Sequence, residues 1–287
     1  MQRIAVFPNM EKKDSGEMLK RLLKLSKKKN VEIALPMEAA KKFGVEALGH
    51  ENVKALPIDL ALSIGGDGTL LGVCRELGAK GIPVCGINIG TLGFLTEIEP
   101  DELNSKIEMI LEKKYSIEEH LLLAGYVKNA KGDEKFLSYA VNDVVITKSG
   151  AARMIHLGLS INDTKLIDYK SDGIIIASPT GSTAYSLSAG GPIINPTVRA
   201  LLVTPICAHT FLLRPIVVNE NDSIYIKIMP AQKDVAVTFD GQESFNVSSS
   251  SEVIIKKSPT TAKIVKFKDK DYYKTLGEKF WGQGRKA

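Results

Sequence analysis

One turn decides the fold: Ser63-Ile64-Gly65-Gly66-Asp67-Gly68-Thr69. The apolar run before it, residues 60–64, predicts a buried strand, and the apolar spacing over residues 69–77 predicts a helix. In α/β sheets, anions bind where a strand passes into a helix, because the first N–H groups of the helix are unpaired and its dipole favours negative charge. The glycines let a phosphate approach the backbone, and a carboxylate there can face the group that receives the phosphate. Asp67 is therefore the first catalytic candidate.

The same turn also has a purely structural interpretation. Turns between strand and helix use glycine for positive φ and for close packing, so the loop by itself leaves phosphate binding and a structural turn equally open. If the loop binds phosphate, its contact residues are Gly65, Gly66, Asp67, Gly68 and Thr69.

Residues 1–117 alternate between strand and helix patterns. Continuous apolar strands are predicted at 3–7, 31–35, 60–64 and 82–87, and helices at 15–29, 38–43, 69–77 and 100–114. Strands that are apolar throughout are buried on both faces, which is typical of a parallel sheet between helices. The pattern therefore predicts an N-terminal parallel α/β domain of the Rossmann-like type. A second glycine-rich turn, residues 88–94, is expected near the first loop, although a turn without a ligand explains it as well.

The pattern changes after residue 117. Strand-like runs cover residues 121–127, 136–147, 156–161, 173–177, 201–208, 223–229, 235–239, 253–256 and 264–267. The polar segment 128–133 between the first two runs is typical of a hairpin turn. We expect a strand-dominated C-terminal domain over residues 118–267. The tail, residues 268–287, has a helical pattern over 272–281 and is expected to pack on the first domain.

The composition is that of an ordinary globular protein. The 287 residues are 44% hydrophobic and 25% charged, and the net charge of +5 is modest, so neither nucleic acid nor a membrane is an expected partner. The longest apolar tract, residues 200–218, contains a histidine, an arginine and two prolines, which argues against a membrane span. Cys74, Cys85 and Cys207 are dispersed in apolar segments, which predicts buried reduced thiols and a cytoplasmic location. The four histidines lack metal-ligand spacing, so no metal-ligating residues are predicted.

A second motif covers residues 172–192. A buried strand passes through a Pro-Thr-Gly turn into a short helix that carries five hydroxyl residues within nine positions, from Thr180 to Ser188, and the helix stops at Gly-Gly-Pro. One or two hydroxyls are expected to cap the helix. The surplus, together with Tyr185, favours a pocket that hydrogen-bonds ribose or phosphate oxygens and stacks an aromatic ring.

The glycine loop and the 172–192 block, at this separation, resemble the NAD kinase family over essentially the whole chain. The resemblance implies transfer of the ATP γ-phosphate, or of a phosphate from polyphosphate, to the 2′-hydroxyl of the adenosine ribose of NAD. It also implies a divalent metal, magnesium, and a proton acceptor role for Asp67. Because a free aspartate is too acidic to deprotonate an alcohol beforehand, we expect Asp67 to position the hydroxyl and to accept its proton late in a loose transition state.

The resemblance further implies which residues bind the substrates. Asp67 and Gly68 would touch NAD, and Asn142-Asp143 matches the family's Asn-acid pair that holds the adenosine ribose, where many members have Glu at the second position. The other implied binding residues are Arg153, Lys170, Asp172, Ala177, Thr180, Thr183, Ala184, Tyr185, Ser186, Leu187, Ser188 and Gln242.

Several of these positions also have structural interpretations. Asn142 and Asp143 interrupt an apolar strand, which marks a bulge or a strand end equally well. The structural alternatives are a surface arginine at Arg153, a solvated lysine at Lys170 and a turn residue beside Gly173 at Asp172. The Asp-Gly pair before Gln242 predicts a plain hairpin turn.

Two other functions share parts of these motifs. A diacylglycerol-kinase-like lipid kinase has a similar glycine loop, but the chain has no basic amphipathic helix for a membrane surface. A non-catalytic dinucleotide-binding regulator would keep the pocket without the reaction, but phosphate binding alone does not call for a carboxylate at Asp67. The NAD kinase family forms homodimers and homotetramers in which a neighbouring chain helps complete the site. The expected partners are therefore NAD, ATP and further copies of this chain.

Overall fold

The computed structural model describes residues 3–148, 154–209, 213–230 and 235–282. The chain divides into two compact units. Unit 1 comprises Met1–Glu119 and Ala262–Ala287, and unit 2 comprises His120–Thr261. Within the described ranges, no helix has the length and apolar character needed to cross a membrane.

Unit 1 alternates strands and helices. Its first elements are β1 (Arg3–Pro8), α1 (Asp14–Lys29), β2 (Glu32–Pro36), α2 (Met37–Lys42), β3 (Gly49–His50), β4 (Leu60–Gly65), α3 (Asp67–Leu77), β5 (Val84–Asn88) and α4 (Leu103–Leu111). The strands pair in parallel in the order β3-β2-β1-β4-β5. Every residue of β4 and β5 is buried, as expected for strands covered on both faces. The predicted parallel α/β domain is confirmed.

The register of unit 1 places three loops at one edge of its sheet. Phe7 of β1 lies beside Ser63 of β4, and Gly65 of β4 lies beside Asn88 of β5. The segments that follow β1, β4 and β5 therefore leave the sheet at the same edge, where open α/β sheets bind ligands. The glycine loop is the central one of the three.

Unit 2 consists mainly of strands. In chain order its elements are β6 (Ser116–Lys128), β7 (Glu134–Ala140), β8 (Asp143–Lys148), β9 (Ile155–Ile161), β10 (Thr164–Ser171), β11 (Gly173–Ala177), α5 (Tyr185–Ser188), β12 (Ala200–Ile206), β13 (Ile216–Asn219), β14 (Ile224–Ile228), β15 (Val235–Phe239), β16 (Glu243–Val247) and β17 (Glu252–Lys266). The first residues of β6 and the last residues of β17 belong to unit 1. The predicted strand-dominated region is confirmed.

The core of unit 2 covers one face of a six-stranded antiparallel sheet. That sheet has the order β13-β12-β11-β8-β15-β16, and β9 pairs antiparallel with β10 and β14. The main core cluster includes Ile146, Ile174 and Phe239 of the six-stranded sheet together with Leu157 and Ile226 of β9 and β14. A smaller apolar cluster contains alternate residues of β8, β11 and β12 and packs with the 189–194 segment. The second sequence motif is therefore anchored to this sheet.

The end of the chain belongs to unit 1. Ile264 of β17 pairs in parallel with Val84 of β5, and the chain then forms the helix α6 (Tyr272–Trp281), as predicted. The buried Glu97 carboxylate pairs with the Lys266 ammonium at 2.6 Å. These contacts tie the C-terminal segment to the loop that follows β5.

Several predicted boundaries were wrong. The run 136–147 is two strands, β7 and β8, because the chain breaks at residues 141–142, whereas 253–256 and 264–267 belong to the single strand β17. The helix predicted over 100–114 is limited to Leu103–Leu111. Strands β3, β10, β13 and β16 were missed because they are short or mostly polar, so their apolar pattern is weak.

The prediction of three buried thiols was also wrong for one of them. Cys74 and Cys85 are buried, but Cys207 is exposed. It follows β12 with a positive φ of 47°, so the chain turns away from the sheet directly after the apolar run.

Candidate active site

Asp67 is the first residue of helix α3 and is held by a neighbouring loop. Its Oδ2 accepts a hydrogen bond from the Phe94 N–H at 2.7 Å, and its Oδ1 accepts from Leu95 and Thr96 at 3.1 and 3.3 Å. Three consecutive amides after β5 therefore hold the carboxylate in one orientation. Asp67 is partly exposed, so a polar group can still reach it.

Gly93 makes this close approach possible. A Cβ at Gly93 would lie 2.3 Å from Asp67 Oδ1 and 2.3 Å from Thr96 Oγ1. Those distances are far inside van der Waals contact, so any larger residue would displace the carboxylate. The second glycine-rich turn thus contributes to the site through its fit against Asp67.

Asn9 links a third loop to the glycine loop. Its backbone N–H donates to the Ile64 carbonyl at 2.8 Å, and its side-chain Nδ2 donates to Thr69 Oγ1 at 3.1 Å. Its Oδ1 accepts from the N–H groups of Glu11 and Lys12 at 2.9 and 3.1 Å. The segment after β1 is therefore held against the start of α3.

The C-terminal helix packs against the loop that holds Asp67. The Phe94 ring lies 6.2 Å from the ring of Tyr272 and 5.9 Å from that of Phe280, measured between centroids. The Lys279 ammonium lies 4.2 Å from the Phe94 centroid. Burial lowers the pKa of Lys279, and the charge of Asp67 opposes that shift. Helix α6 therefore supports the backbone that orients Asp67.

In unit 2, Asn142 and Asp143 lie at a strand end and not at a bulge. Asn142 is in the break between β7 and β8, and Asp143 begins β8. The Asp240 carboxylate accepts hydrogen bonds from the N–H groups of Val141, Asn142 and Asp143 at 3.0, 2.7 and 3.2 Å. Asp240 is thus the residue that shapes the Asn142-Asp143 turn.

Asp143 is the buried carboxylate of this group. It is only 4% exposed, and its side chain accepts no hydrogen bond from the described residues. Burial, together with the nearby charge of Asp240, raises the pKa of Asp143 to about 7. The Oδ1 atom of Asn142 is also buried without a partner among the described residues. The turn therefore presents two acceptors for hydrogen-bond donors of a ligand.

Residues 177–181 pack against the Asn142-Asp143 turn. The Ser178 N–H donates to the Asn142 carbonyl at 2.8 Å, and Ala177 pairs with Asp143 across β11 and β8. A Cβ at Gly181 would lie 2.1 Å from the Asn142 carbonyl oxygen, so only glycine fits there. The structure therefore brings the Asn142-Asp143 pair and the hydroxyl-rich segment together.

The hydroxyls of this segment divide into internal and accessible groups. Thr180 Oγ1 contacts His120 Nδ1 at 2.8 Å, and Ser186 Oγ contacts Thr204 Oγ1 at 2.8 Å, so both are used inside the protein. Thr183 is half-buried and its Oγ1 donates to the Thr180 carbonyl at 3.3 Å, whereas the Tyr185 side chain is 45% exposed. The expected N-capping was wrong: neither Thr180–Thr183 nor Tyr185–Ser188, as described, has a side-chain hydrogen bond at its cap.

The sequence matches two family models that together cover most of the chain. The model described as the ATP-NAD kinase N-terminal domain matches residues 5–115, and the one described as the ATP-NAD kinase C-terminal domain matches residues 141–267. The chain belongs to the NAD kinase family.

Curated NAD kinases align with the chain over most of their length. The NAD kinase of Carboxydothermus hydrogenoformans is 40% identical over 236 residues, which cover 82% of this chain and 84% of that protein. The NAD kinase of Caldanaerobacter subterraneus subsp. tengcongensis is 37% identical over 281 residues, 97% of this chain and 99% of that protein. The family assignment therefore extends across both units.

Solved structures agree at the level of the fold. An NAD kinase from Archaeoglobus fulgidus in complex with ATP has a TM-score of 0.75 and 26% identity, covering 96% of this chain and 97% of that one. The yeast NADH kinase complexed with NADH has a TM-score of 0.89, covering 100% of this chain and 89% of that one. At 22% identity the yeast enzyme supports the fold alone. The predicted fold class and the predicted resemblance to NAD kinase are confirmed.

Lys170 and Asp172 lie at the opposite end of β11 from the other predicted binding residues of the 172–192 block. Lys170 and Asp172 precede β11, whereas Ala177 ends it, so Asp172 lies about 16 Å along the strand from Ala177. The Asp172 carboxylate pairs with the Lys148 ammonium at 2.9 Å, and Lys170 is exposed.

The remaining predicted residues have these positions. Gln242 lies in the β15–β16 hairpin turn, and its N–H donates to the Phe239 carbonyl at 2.9 Å, which confirms the hairpin. Ala184 and Leu187 are half-buried, and Ser188 is exposed. Arg153 lies outside the described residues.

Sequence reasoning missed several residues that shape the site. Asp240 was assigned only to a hairpin turn, and Asn9 and Lys148 were not considered. The available signals were weak: a carboxylate in the hairpin turn that also carries Gln242, and an Asn directly after the first strand. None of them shows periodicity, because each acts on a distant part of the chain.

Proposed function

We propose that this chain transfers the γ-phosphate of ATP to the 2′-hydroxyl of the adenosine ribose of NAD, giving NADP and ADP. The observation that carries the proposal is the Asp67 carboxylate, oriented by three backbone amides at the start of α3 in a member of the NAD kinase family. A carboxylate with this fixed orientation suits proton transfer, because a general base must be held within hydrogen-bond distance of the proton that it accepts.

In the proposed reaction the ribose 2′-oxygen forms a bond to the γ-phosphorus while the bond from phosphorus to the ADP oxygen breaks. The transferring phosphoryl group carries little covalent attachment at the transition state, so positioning and charge stabilisation dominate. Asp67 accepts a hydrogen bond from the 2′-hydroxyl and takes its proton late in the step. The partial positive charge at the start of α3 favours the phosphate oxygens.

The residues of unit 2 are proposed to bind the dinucleotide. The Asp143 carboxylate and Asn142 Oδ1 are buried acceptors that suit the hydroxyl donors of a ribose. The exposed ring of Tyr185 is available for stacking on a base. Thr180 and Ser186 are proposed to shape the segment, since their hydroxyls already have partners inside the protein.

Magnesium is proposed to arrive with the ATP phosphates. Mg²⁺ keeps several waters and binds through one or two carboxylates plus substrate phosphates. Asp67 Oδ2 accepts one amide hydrogen bond and keeps a lone pair, whereas Oδ1 accepts two. Because that lone pair is assigned to the ribose 2′-hydroxyl, the ATP phosphates and water would provide the ligands of the cation. The cation would neutralise charge that develops on the phosphate oxygens.

The oligomeric state and the location stay predictions. The separation of Asp172 from Ala177 along β11 fits the expectation that a neighbouring chain helps complete the site. Light scattering of the purified protein tests whether it is a dimer or tetramer. The cytoplasmic location rests on the dispersed cysteines.

The proposed function is tested by measuring NADP formation from NAD, ATP and Mg²⁺ with a coupled NADP-specific dehydrogenase. Asp67→Asn is measured alongside, and Asp101→Asn, an exposed aspartate of unit 1, is the matched control. We expect turnover in the wild type and in the control, and a loss of about 10²–10⁴ in the Asp67 variant. NADH and polyphosphate are then substituted for NAD and ATP in turn.

Two outcomes would count against the proposal in different ways. Turnover in Asp67→Asn near the wild-type rate would remove Asp67 from the reaction. Binding of NAD without NADP formation from any donor would instead indicate a dinucleotide-binding regulator.

A further inference from the structure

Lys12 is held beside the glycine loop by the Asn9 side chain. Asn9 Oδ1 accepts from the Lys12 N–H at 3.1 Å, while Asn9 Nδ2 donates to Thr69 Oγ1 at 3.1 Å. One asparagine side chain therefore connects the backbone of Lys12 to the first turn of α3. The proposed phosphate loop and this lysine form a single hydrogen-bonded unit.

The Lys12 ammonium lies over two glycines of unit 1. A Cβ at Gly90 would lie 2.7 Å from Lys12 Nζ, and a Cβ at Gly66 would lie 3.8 Å from it. Among the described residues, no other heavy atom comes within 4 Å of either built position, apart from the chain neighbours. The ammonium thus occupies the space between the turn after β4 and the turn after β5. This space is open because each turn has a glycine there, Gly66 and Gly90.

The Lys12 side chain is exposed and takes no part in the ion pairs formed among the described residues. By contrast, the ammonium of Lys29, the last residue of α1, pairs with the Glu108 carboxylate at 2.8 Å. A lysine held near a helix start without a carboxylate partner suits an anionic ligand.

A cavity borders the same position. It has a volume of about 400 Å³ and is lined by Asp14, Glu17, Met18, Arg21, Asn88, Ile89, Gly90 and Pro100. Asn88 is 1% exposed, and its Oδ1 has no hydrogen-bond partner among the described residues. The lining of the cavity thus includes a buried hydrogen-bond acceptor, Asn88 Oδ1, that has no partner among the described residues. It also includes Gly90, which lies under the Lys12 ammonium. The charged lining residues are Asp14, Glu17 and Arg21, so the cavity has a net negative charge and the anionic part of a ligand is favoured at Lys12.

We infer that Lys12 binds the terminal phosphates of the phosphate donor, and this inference rests on the proposed function. The chemistry it recognises is a polyphosphate chain, as in ATP or in inorganic polyphosphate. Lys12 belongs to unit 1 with the glycine loop, whereas the residues proposed to hold the nicotinamide dinucleotide lie mainly in unit 2. The ammonium orients the donor and stabilises negative charge on the oxygens of the transferring phosphoryl group.

Initial-rate kinetics with Lys12→Met, Lys12→Arg and Lys13→Met test this inference. Methionine keeps the apolar stem without the charge, arginine keeps the charge, and Lys13 is an exposed lysine with no ion pair in the described part of the chain. We expect Lys12→Met to raise the KM for ATP about tenfold or more, since loss of a charged hydrogen bond has effects of that size. The KM for NAD should change by less than about twofold, and Lys12→Arg should recover most of the loss. Lys13→Met should match the wild type.

Further measurements show whether the phosphates or the nucleoside of the donor are recognised. They also separate a failure of this inference from a failure of the proposed function. Tripolyphosphate replaces ATP as donor, and titration calorimetry measures the binding of ADP and tripolyphosphate to each variant. If both donors are affected, the phosphates are the recognised part; if only ATP is affected, the assignment of Lys12 to the phosphates is overturned. An unchanged KM for ATP, or a raised KM for NAD alone, would also overturn it. If the wild type makes no NADP, the proposed function fails, and weaker tripolyphosphate binding to Lys12→Met would still support Lys12 as a phosphate ligand. Circular dichroism checks that each variant is folded.

Discussion

Asp67 in unit 1 and Asp240 in unit 2 use the same local arrangement. Each carboxylate accepts hydrogen bonds from three consecutive backbone N–H groups of another loop, residues 94–96 for Asp67 and residues 141–143 for Asp240. In both cases a turn aspartate fixes the shape of a distant segment. Backbone amides are suited to this task because their positions do not depend on side-chain rotamers.

The two arrangements differ in which carboxylate faces the substrate. In unit 1 the amide-bound Asp67 is itself the proposed proton acceptor. In unit 2 the amide-bound Asp240 is a supporting residue, and the neighbouring Asp143, which accepts no amide hydrogen bond on its side chain from the described residues, is the proposed ligand contact. The comparison indicates that the same arrangement orients the proposed proton acceptor in one unit and shapes the turn that carries the proposed ligand contact in the other.

After Asp67→Asn, the largest effect is expected from Gly93→Ala. The added methyl would overlap Asp67 Oδ1, so the carboxylate must move away from the amides of residues 94–96. A displacement near 1 Å at a reacting group costs about 10²-fold in rate, and we expect a loss of that size in kcat. Steady-state NADP formation measures it.

The control for Gly93→Ala is Gly277→Ala in α6. Among the described residues, a Cβ at Gly277 meets no atom within 4 Å apart from the backbone of its own helix, so alanine should keep the activity and raise helix stability by about 0.5–1 kcal/mol. Normal kcat in Gly93→Ala would show that the orientation of Asp67 is not required.

A smaller effect is expected from Asp240→Asn. The amide group can replace only one acceptor oxygen, so at least one of the three N–H groups at residues 141–143 loses its partner. We expect the KM for NAD to rise about tenfold while the KM for ATP changes little. Asp163→Asn, at an exposed turn of unit 2, is the control. Equal effects on both substrates would contradict the assignment of this turn to the dinucleotide.

The pH dependence of dinucleotide binding should reflect Asp143. Because its pKa is raised to about 7, ionised Asp143 becomes the main form only above that pH, and the ionised form is the better acceptor for ribose hydroxyls. NAD affinity should therefore rise several-fold between about pH 6 and pH 8, with proton release on binding. Calorimetry in buffers of different ionisation enthalpy measures both quantities.

The same group makes a prediction about stability. An acid whose pKa is raised in the folded state binds more protons there than in the unfolded chain, so its contribution makes the protein less stable as pH rises from about 4 to about 7. Asp143→Asn should remove this slope, on the order of 1 kcal/mol per pH unit, and flatten the pH dependence of NAD affinity. Thermal melts at pH 5, 6 and 8 test it, and an unchanged slope in the variant would assign the effect to another group.

The smallest effect is expected from Phe280→Ala. Phe94 would lose one of its two aromatic contacts in α6, worth about 1 kcal/mol, while its N–H bond to Asp67 could still form. We expect kcat to fall by roughly two- to fivefold, because a less well packed loop orients Asp67 less precisely. The melting temperature should also fall slightly. Steady-state NADP formation and a thermal melt measure the two effects. Lys274→Ala, an exposed residue of α6 whose side chain has no ion pair or ring contact among the described residues, is the control. A larger loss in the control would contradict the support role of the Phe94 contact.

The elements of the fold were predictable where the signal was local. The β4 strand, the glycine turn and α3 follow from apolar spacing and glycine, and α6 was predicted with its observed bounds. The strands β10 and β16 were missed because their burial depends on pairing partners and not on their own apolar residues. The strand end at Asn142 was left open because a polar interruption does not distinguish it from a bulge.

The candidate site shows the same division between local and distant information. The sequence alone determined the family, the catalytic candidate Asp67 and the hydroxyl-rich segment, because each is carried by a contiguous motif. Only the tertiary structure decided that Asp67 is oriented by residues 94–96, that Asp240 shapes the Asn142-Asp143 turn, and that Lys12 lies over Gly66 and Gly90. These contacts join residues separated by dozens of positions, and a hydrogen bond or a close approach depends on distance in space, which residue order along the chain does not specify.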